Sequence, residues 1–265
     1  MFPLRLFAAG LLAAAAIVPA TAITLTVPNL PETENFDSLG LVSGSTLPAG
    51  WELNESGSGA NTSYGVGNGS SSTGNTYSFG ATGATDRALG SIRTSSLAAM
   101  YGTMITNQTA ATLTELAIEF VGEQWRLGAT GRVDRLDFAY SLDATSIITG
   151  SWLELDALDF IGPVIAGTTG ALDGNLAENR TLVAHTISGL ALAPGASLWI
   201  RWSDFDASSS DDGLAIDNFS VRGVAGVVSN VPDALPDGVL VALVVALLVA
   251  GHRCRLARAP ASGGA

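Results

Sequence analysis

Asp204, Asp206, Asp211, Asp212 and Asp217 stand close together in the last third of the chain. Clustered carboxylates are what calcium takes as ligands, six to eight hard oxygens at flexible geometry. A twelve-residue calcium loop of the helix-flanked kind is excluded. Counted from Asp204, its sixth place holds Ser209 instead of Gly and its twelfth Ala215 instead of Glu. The competing reading is solvated loop acids, with an Asp bracing a turn. A second constellation is Trp125 with Glu123 and Arg126, together with Trp199 on the outward phase of its strand. An aromatic face packs on sugar C–H groups while acids and arginine bond the hydroxyls; the competing role is core filler. A third is the acid run Glu154-Leu155-Asp156-Ala157-Leu158-Asp159. Other chemistry lacks its parts. His185 is the only histidine before the C-terminal tail, so there is no histidine metal cluster and no serine motif for it to serve. The Gly-rich stretch has no Gly-Lys-Ser/Thr to cradle a phosphate.

These side chains need elements to hold them, and the pattern is one of strands. From Leu113 to Val121, Leu116, Ile118 and Phe120 alternate with Glu115, Ala117 and Glu119, which is a strand with one wet face. Leu136, Phe138 and Tyr140 alternate in the same way with Arg135, Asp137 and Ser141, as do Leu198, Ile200 and Trp202 with Trp199, Arg201 and Ser203. Leu214 and Ile216 share a phase that Phe219 and Val221 break, so a bulge is expected near Asp217-Asn218. No long amphipathic helix appears. Many half-buried antiparallel strands between turns make a two-sheet sandwich. Asn54 to Asp86 is mostly Gly, Ser, Thr and Asn. It reads as a long loop with a weak strand through Tyr77-Ser78-Phe79, because the chain before it is too short for its own core.

The two ends address the chain. Residues 1–22 have a signal peptide's parts: Arg5, the apolar run Leu6 to Val18, and Ala20-Thr21-Ala22 for cleavage. Residues 23–223 are expected to be one domain, with 224–238 a linker. Residues 239–251 form a short hydrophobic helix and 252–265 a basic cytoplasmic tail. That helix would cover roughly 21 Å at about 1.5 Å per residue, against about 30 Å for a bilayer core. A run this short suits a segment inserted once and cut. Acids before it (Asp233, Asp237) and arginines after it place its C-terminus in the cytoplasm. Between the ends, eight of the 12 basic residues, all arginines, face all 24 acids, a net charge of −16. Such a surface repels nucleic acid and anionic lipid. The only cysteine, Cys254, lies in the tail, so the exported part has neither disulfide nor catalytic thiol.

The order Val231-Pro232-Asp233, apolar run and Arg253, Arg255, Arg258 resembles the PEP-CTERM type of exosortase sorting signal, in its Val-Pro-Asp-Ser-Gly variant. Ala234-Leu235 depart from the Ser-Gly. The resemblance implies an exosortase-type partner, transient anchoring in the inner membrane of a Gram-negative bacterium, and final display at the cell surface or in the extracellular matrix. The exported region carries further blocks: Thr73 to Gly80, Asp86 to Ser91, Glu123-Gln124-Trp125-Arg126, Arg135 to Ser141, Trp199 to Asp206 and Asp212 to Phe219. In this order they resemble an extracellular module of PEP-CTERM proteins that is similar to carbohydrate-binding and MAM-type jelly rolls. The implied fold is all-β, a two-sheet antiparallel jelly-roll sandwich. In such relatives a structural Ca2+ sits between first and last strands, which here implies Asp37 and Asp217 as ligands, with Asp204, Asp206 and Asp212 as further candidates. Some jelly-roll glycoside hydrolases carry Glu-x-Asp-x-x-Glu with the two glutamates as catalytic pair. Here the last place is Asp159, too short to reach the glycosidic oxygen. The expectation is therefore a non-enzymatic interaction module for extracellular polysaccharide. The alternatives are a calcium-stabilised structural protein without its own ligand and a glycoside hydrolase.

Overall fold

Alternating residues bury one face per strand, and the long period-two runs become the long strands of two packed sheets. The computed structural model describes residues 22–226. Its strands are β1 (Ile23–Leu25), β2 (Glu32–Glu34), β3 (Trp51–Ser56), β4 (Gly65–Gly67), β5 (Asn75–Phe79), β6 (Ala88–Ile92), β7 (Ala98–Asn107) and β8 (Leu113–Leu127). They continue with β9 (Arg135–Ser141), β10 (Leu153–Glu154), β11 (Phe160–Ile161), β12 (Gly170–Ala171), β13 (Arg180–Leu192), β14 (Ser197–Asp204) and β15 (Gly213–Ala225). The signal-peptide and sorting-motif readings, Val231, Pro232 and Asp233 included, lie outside the described residues.

The first sheet runs β1-β7-β14-β9-β10, with β3 also on β7 and β11 also on β9; the second runs β12-β8-β15-β6-β5-β4, with β13 on β8 and β2 on β15. From β6 onward the long strands alternate between the sheets. The order β6-β15-β8-β13 in one faces β7-β14-β9-β10 in the other, which is the jelly-roll winding. Two short edge pairings, β1 with β7 and β4 with β5, are parallel. The expected weak strand through Tyr77-Ser78-Phe79 is β5.

Leu116, Ile118, Phe120, Leu136, Phe138, Leu198, Ile200, Trp202, Leu214, Ile216, Phe219 and Val221 all lie in the core. Trp202 sits at its centre. It meets Phe120, Phe138 and Phe219 edge-on and stacks on Trp51, with ring centroids 5.1–6.0 Å apart. Edge-to-face contacts of this kind add about 0.5–1.5 kcal/mol each beyond burial. The phase break in β15 is a bulge: its register against β8 shifts between Asp217 and Ser220, and Asn218 takes φ 48°. The extra residue lets Leu214 and Ile216 before it and Phe219 and Val221 after it all point inward. It also leaves Asp217 on the outer face.

Candidate functional site

Part of the outer face of the second sheet, over β5, β6 and the C-terminal end of β8, is covered. Tyr77, Phe79, Ala88, Ile92, Trp125 and Ala215 form a second apolar cluster there, with Phe79 and Trp125 stacked at 6.2 Å and 2°. Two glycine loops close over it. A Cβ at Gly174 would come within 2.5 Å of the indole, and one at Gly69 (φ +80°) would strike the Trp125 carbonyl. Trp125 is therefore buried, as is Glu123, and Arg126 donates to the Gly69 carbonyl at 3.0 Å. This corrects the expectation that the three present a sugar platform. Their polar groups tie the loops down, and no ring face is open.

Beside this cluster lies an acidic site. Glu123 Oε2 accepts from Trp125 Nε1 at 2.9 Å, and Asp217 Oδ2 accepts from Asn218 Nδ2 at 2.8 Å. Their other oxygens, Glu123 Oε1 and Asp217 Oδ1, are buried with no hydrogen-bond partner. Burial pushes Glu123 up to about 8, with the Asp217 charge second. Burial pushes Asp217 up to about 7, against the backbone N–H of Asn218, with the charges of Asp86 and Asp37 adding to the rise. Asp86 and Asp37 are exposed and hydrogen-bonded. Asn175 Nδ2 donates to Asp86 at 2.7 Å; the Arg87 N–H and Asn35 Nδ2 donate to Asp37 at 3.0 and 2.7 Å. Arg180, the cross-strand partner of Glu123, is the nearby cation that eases both buried acids. The bulge and the left-handed Phe36 (φ 55°) bring Asp217 and Asp37 into this one neighbourhood. Among the described residues, no three His, Cys, Asp or Glu side chains form a ready metal cage. An ion here would therefore draw further ligands from backbone carbonyls and water.

The other expected metal ligands do not converge. Asp204 points into the core, where Oδ2 accepts from Ser91 Oγ at 2.7 Å; burial holds its carboxyl well above the usual range. Asp206 is exposed and faces Arg93 at 3.5 Å. Asp212 takes Gly128 N–H at 2.7 Å, Gln124 Nε2 at 2.8 Å and Arg132 Nη2 at 3.2 Å. These separate partners hold the three carboxylates apart, which corrects their grouping as one loop site. Asp211 caps the same loop, accepting the Ala207 N–H at 3.0 Å.

The outer face of the first sheet is open. Ladder register aligns one row across it: Glu52 on β3, Gly102 on β7, Arg201 on β14, Ala139 on β9 and Glu154 on β10. The loop 142–152 lies along its end, since Arg201 Nη1 donates to the Ile147 carbonyl at 3.0 Å. Ile147 and Trp199 are both buried there, so Trp199, although on the outward phase, offers no face to a ligand. Trp152 takes that place. It is half-buried, the one tryptophan of five that is not buried, and Arg201 stacks on its ring at 3.8 Å. A second pair, Arg135 over Phe205 at 3.7 Å, continues the face, with Arg135 Nε bonded to Asp137 at 2.5 Å. Sequence reading missed Trp152. Its signal was an aromatic in a Gly-Ser turn two residues before Glu154.

The acid run 154–159 forms no catalytic strand. Glu154 ends β10, Asp156 opens a 3₁₀ turn (Asp156–Leu158), and Asp159 accepts the Phe138 N–H at 2.8 Å.

The fold and these surfaces define an all-β jelly-roll module whose first sheet keeps a polar and aromatic outer face. No protein-family model and no curated protein matches the chain. Among solved structures it is similar to the first CBM22 xylan-binding domain of Paenibacillus barcinonensis Xyn10C: 10% identity, 77% of this chain, 99% of that one, TM-score 0.35. It is similar also to the family 11 carbohydrate-binding module of Clostridium thermocellum, solved with a mixed-linked tetrasaccharide: 9% identity, 74% and 96%, TM-score 0.33. An enzymatically active domain of tailspike protein 4 from bacteriophage CBA120 matches at 15% identity and TM-score 0.34; the match covers 66% of this chain and spans 19% of that one.

Proposed function

We propose that the exported chain is a non-catalytic module that binds extracellular polysaccharide on the open face of its first sheet. The observation that carries this reading is the Trp152–Arg201 stack set in the row Glu52–Arg201–Glu154. One ring face rests on the guanidinium, which fixes the indole. Acids on both sides of the arginine accept from sugar hydroxyls, and the arginine donates to them. The gaps left by Gly102 and Ala139 keep the row flat enough for an extended chain of sugars.

A bound calcium ion at Glu123 and Asp217, with Asp86 and Asp37 contributing charge, is the second part of the proposal. Its support is the two buried oxygens without partners. Delivery by an exosortase-type enzyme through the C-terminal tail is the third, and rests on Val231-Pro232-Asp233 and the arginines after the apolar run.

The test is co-sedimentation with the producing bacterium's own exopolysaccharide. Trp152→Ala and Arg201→Ala should each weaken binding at least tenfold, about 1.4 kcal/mol. Retention of full affinity by both variants would remove the assignment of this face. A reducing-sugar assay on the same material tests for catalysis; release that depends on Glu154 would replace the binding reading by hydrolysis.

A further inference from the structure

β13 is the edge of its sheet, and it is long. Its residues Arg180–Leu192 pair with β8 on one side; among the described residues no strand pairs with its other side, and the 3₁₀ turn Asp156–Leu158 lies against it. A free edge presents a row of unpaired N–H and C=O groups, and proteins ordinarily blunt such edges with charge, Pro or a covering element. This one has no Pro and no acid along its length and only Arg180, at its start, as a full charge, in a chain where residues 23–238 carry a net −16. Leu182, near its start, is 63% exposed.

We infer that β13 pairs antiparallel with the β13 of a second copy of this chain, about a two-fold axis at Ala184, joining the two second sheets into one. The register follows from the strand itself. Arg180 to Ser188 pair with β8 without a break, and the ladder shifts only after Ser188. Ala184 is the midpoint of that regular stretch, so each copy offers the other the same nine residues. A two-fold interface must be self-complementary, and this register makes it so. On the outer face, Arg180 falls opposite the partner copy's Ser188, whose own β8 neighbour is Glu115. The guanidinium reaches over the small serine, between its own Glu123 and the second copy's Glu115. Leu182 falls opposite Thr186, with Val121 and Ala117 on either side, which covers the exposed leucine. The axis itself brings Ala184 against Ala184, with Glu119 one strand further out on each side. Shifting the pairing by one residue would set outward positions against inward ones and break both faces. An acidic partner strand would meet Glu115, Glu119 and Glu123 along the outer face, whereas a second β13 brings none of its own.

Directly opposed residues of an antiparallel pair have Cβ atoms about 4.5–5.5 Å apart, close enough for a disulfide to form between Ala184→Cys chains. The experiment uses the full chain with Cys254→Ser, and carries Ala184→Cys, Leu182→Cys, or Leu182→Cys with Thr186→Cys. Under mild oxidation Ala184→Cys and the double variant should form covalent dimers, and Leu182→Cys alone should not, because its copy lies four residues away across the axis. Light scattering on the uncrosslinked chain should give a dimer, and Leu182→Lys, which changes only an exposed side chain, should shift it at least tenfold toward monomer. Equal cross-linking of all three cysteine variants, cross-linking by none, or a dimer indifferent to Leu182→Lys overturns the inference.

Discussion

Asp217→Asn separates a buried charge waiting for an ion from an ordinary structural acid. In the folded chain Asp217 stands at about 7 against an ordinary 3.8. A carboxyl held above its ordinary value binds its proton more tightly folded than unfolded. The contribution of these two groups is therefore full below about pH 4 and is lost as pH rises from there through about 7 for Asp217 and about 8 for Glu123. Roughly three units at about 1.4 kcal/mol each set an upper bound near 4 kcal/mol for the cost of ionising Asp217. The asparagine keeps the shape and an oxygen for Asn218 Nδ2, and it removes the charge beside Glu123 Oε1. In chelator at pH 8 the variant should therefore be about 2–4 kcal/mol more stable than wild type. At about 2–4 °C per kcal/mol for a domain of this size, that is roughly 5–15 °C. At pH 5 only about 1.2 of the roughly three units are lost, so the gap should shrink to at most about 1.6 kcal/mol. Excess calcium reverses the order. At a hundredfold over its Kd it adds about 2.7 kcal/mol to the wild type, and the variant, lacking a charged ligand, should gain little. Asp211→Asn, on the neighbouring loop, should keep the whole calcium response. Differential scanning calorimetry at pH 5 and 8, with calcium and with chelator, reads all of this. A variant less stable than wild type in chelator at pH 8 would refute the unpaired-charge reasoning; an unchanged calcium response would place the ion elsewhere.

Trp202→Ala should cost about 3–5 kcal/mol in chemical denaturation, since it empties the point where four aromatic rings meet. Gly69→Ala combines a left-handed backbone with a clash on the Trp125 carbonyl. It should destabilise by at least about 1–2 kcal/mol and raise tryptophan exposure by fluorescence quenching. Asp206→Asn breaks an exposed pair and should change stability by less than about 0.5 kcal/mol; a larger loss would give that loop a structural weight it lacks here. Intact mass of protein recovered from cells should show the loss of residues 1–22 and of the run from Val239 onward. Arg258 in the mature species would refute sorting by cleavage.

Legibility followed the physics of each element. Strands such as β8 and β14 were readable because alternation is local: each residue's side is set by its parity, and Leu116, Ile118 and Phe120 had nowhere else to go. The bulge in β15 was readable for the same reason, as a slip in that parity. Which outward residues stay exposed was not. Trp199 has the outward parity of a ligand-facing residue, yet it is buried. Trp125 shares that parity and is sealed by two glycine loops. Whether an outward residue meets water depends on what packs over it, and one strand's sequence does not contain that.

The sequence alone determined the strand periods, the inward set of the core, the phase slip at Asp217 and the acid excess of residues 23–238. Each is a property of neighbouring residues or of composition. Tertiary structure decided which stretches of each sheet keep an open outer face. It set Glu123 beside Asp217 with an oxygen of each left unpaired, and it moved the exposed tryptophan to Trp152. Those outcomes hang on contacts between residues far apart in the chain, fixed only when the jelly-roll winding brings loops 66–75, 142–152 and 168–179 over the strands they cover.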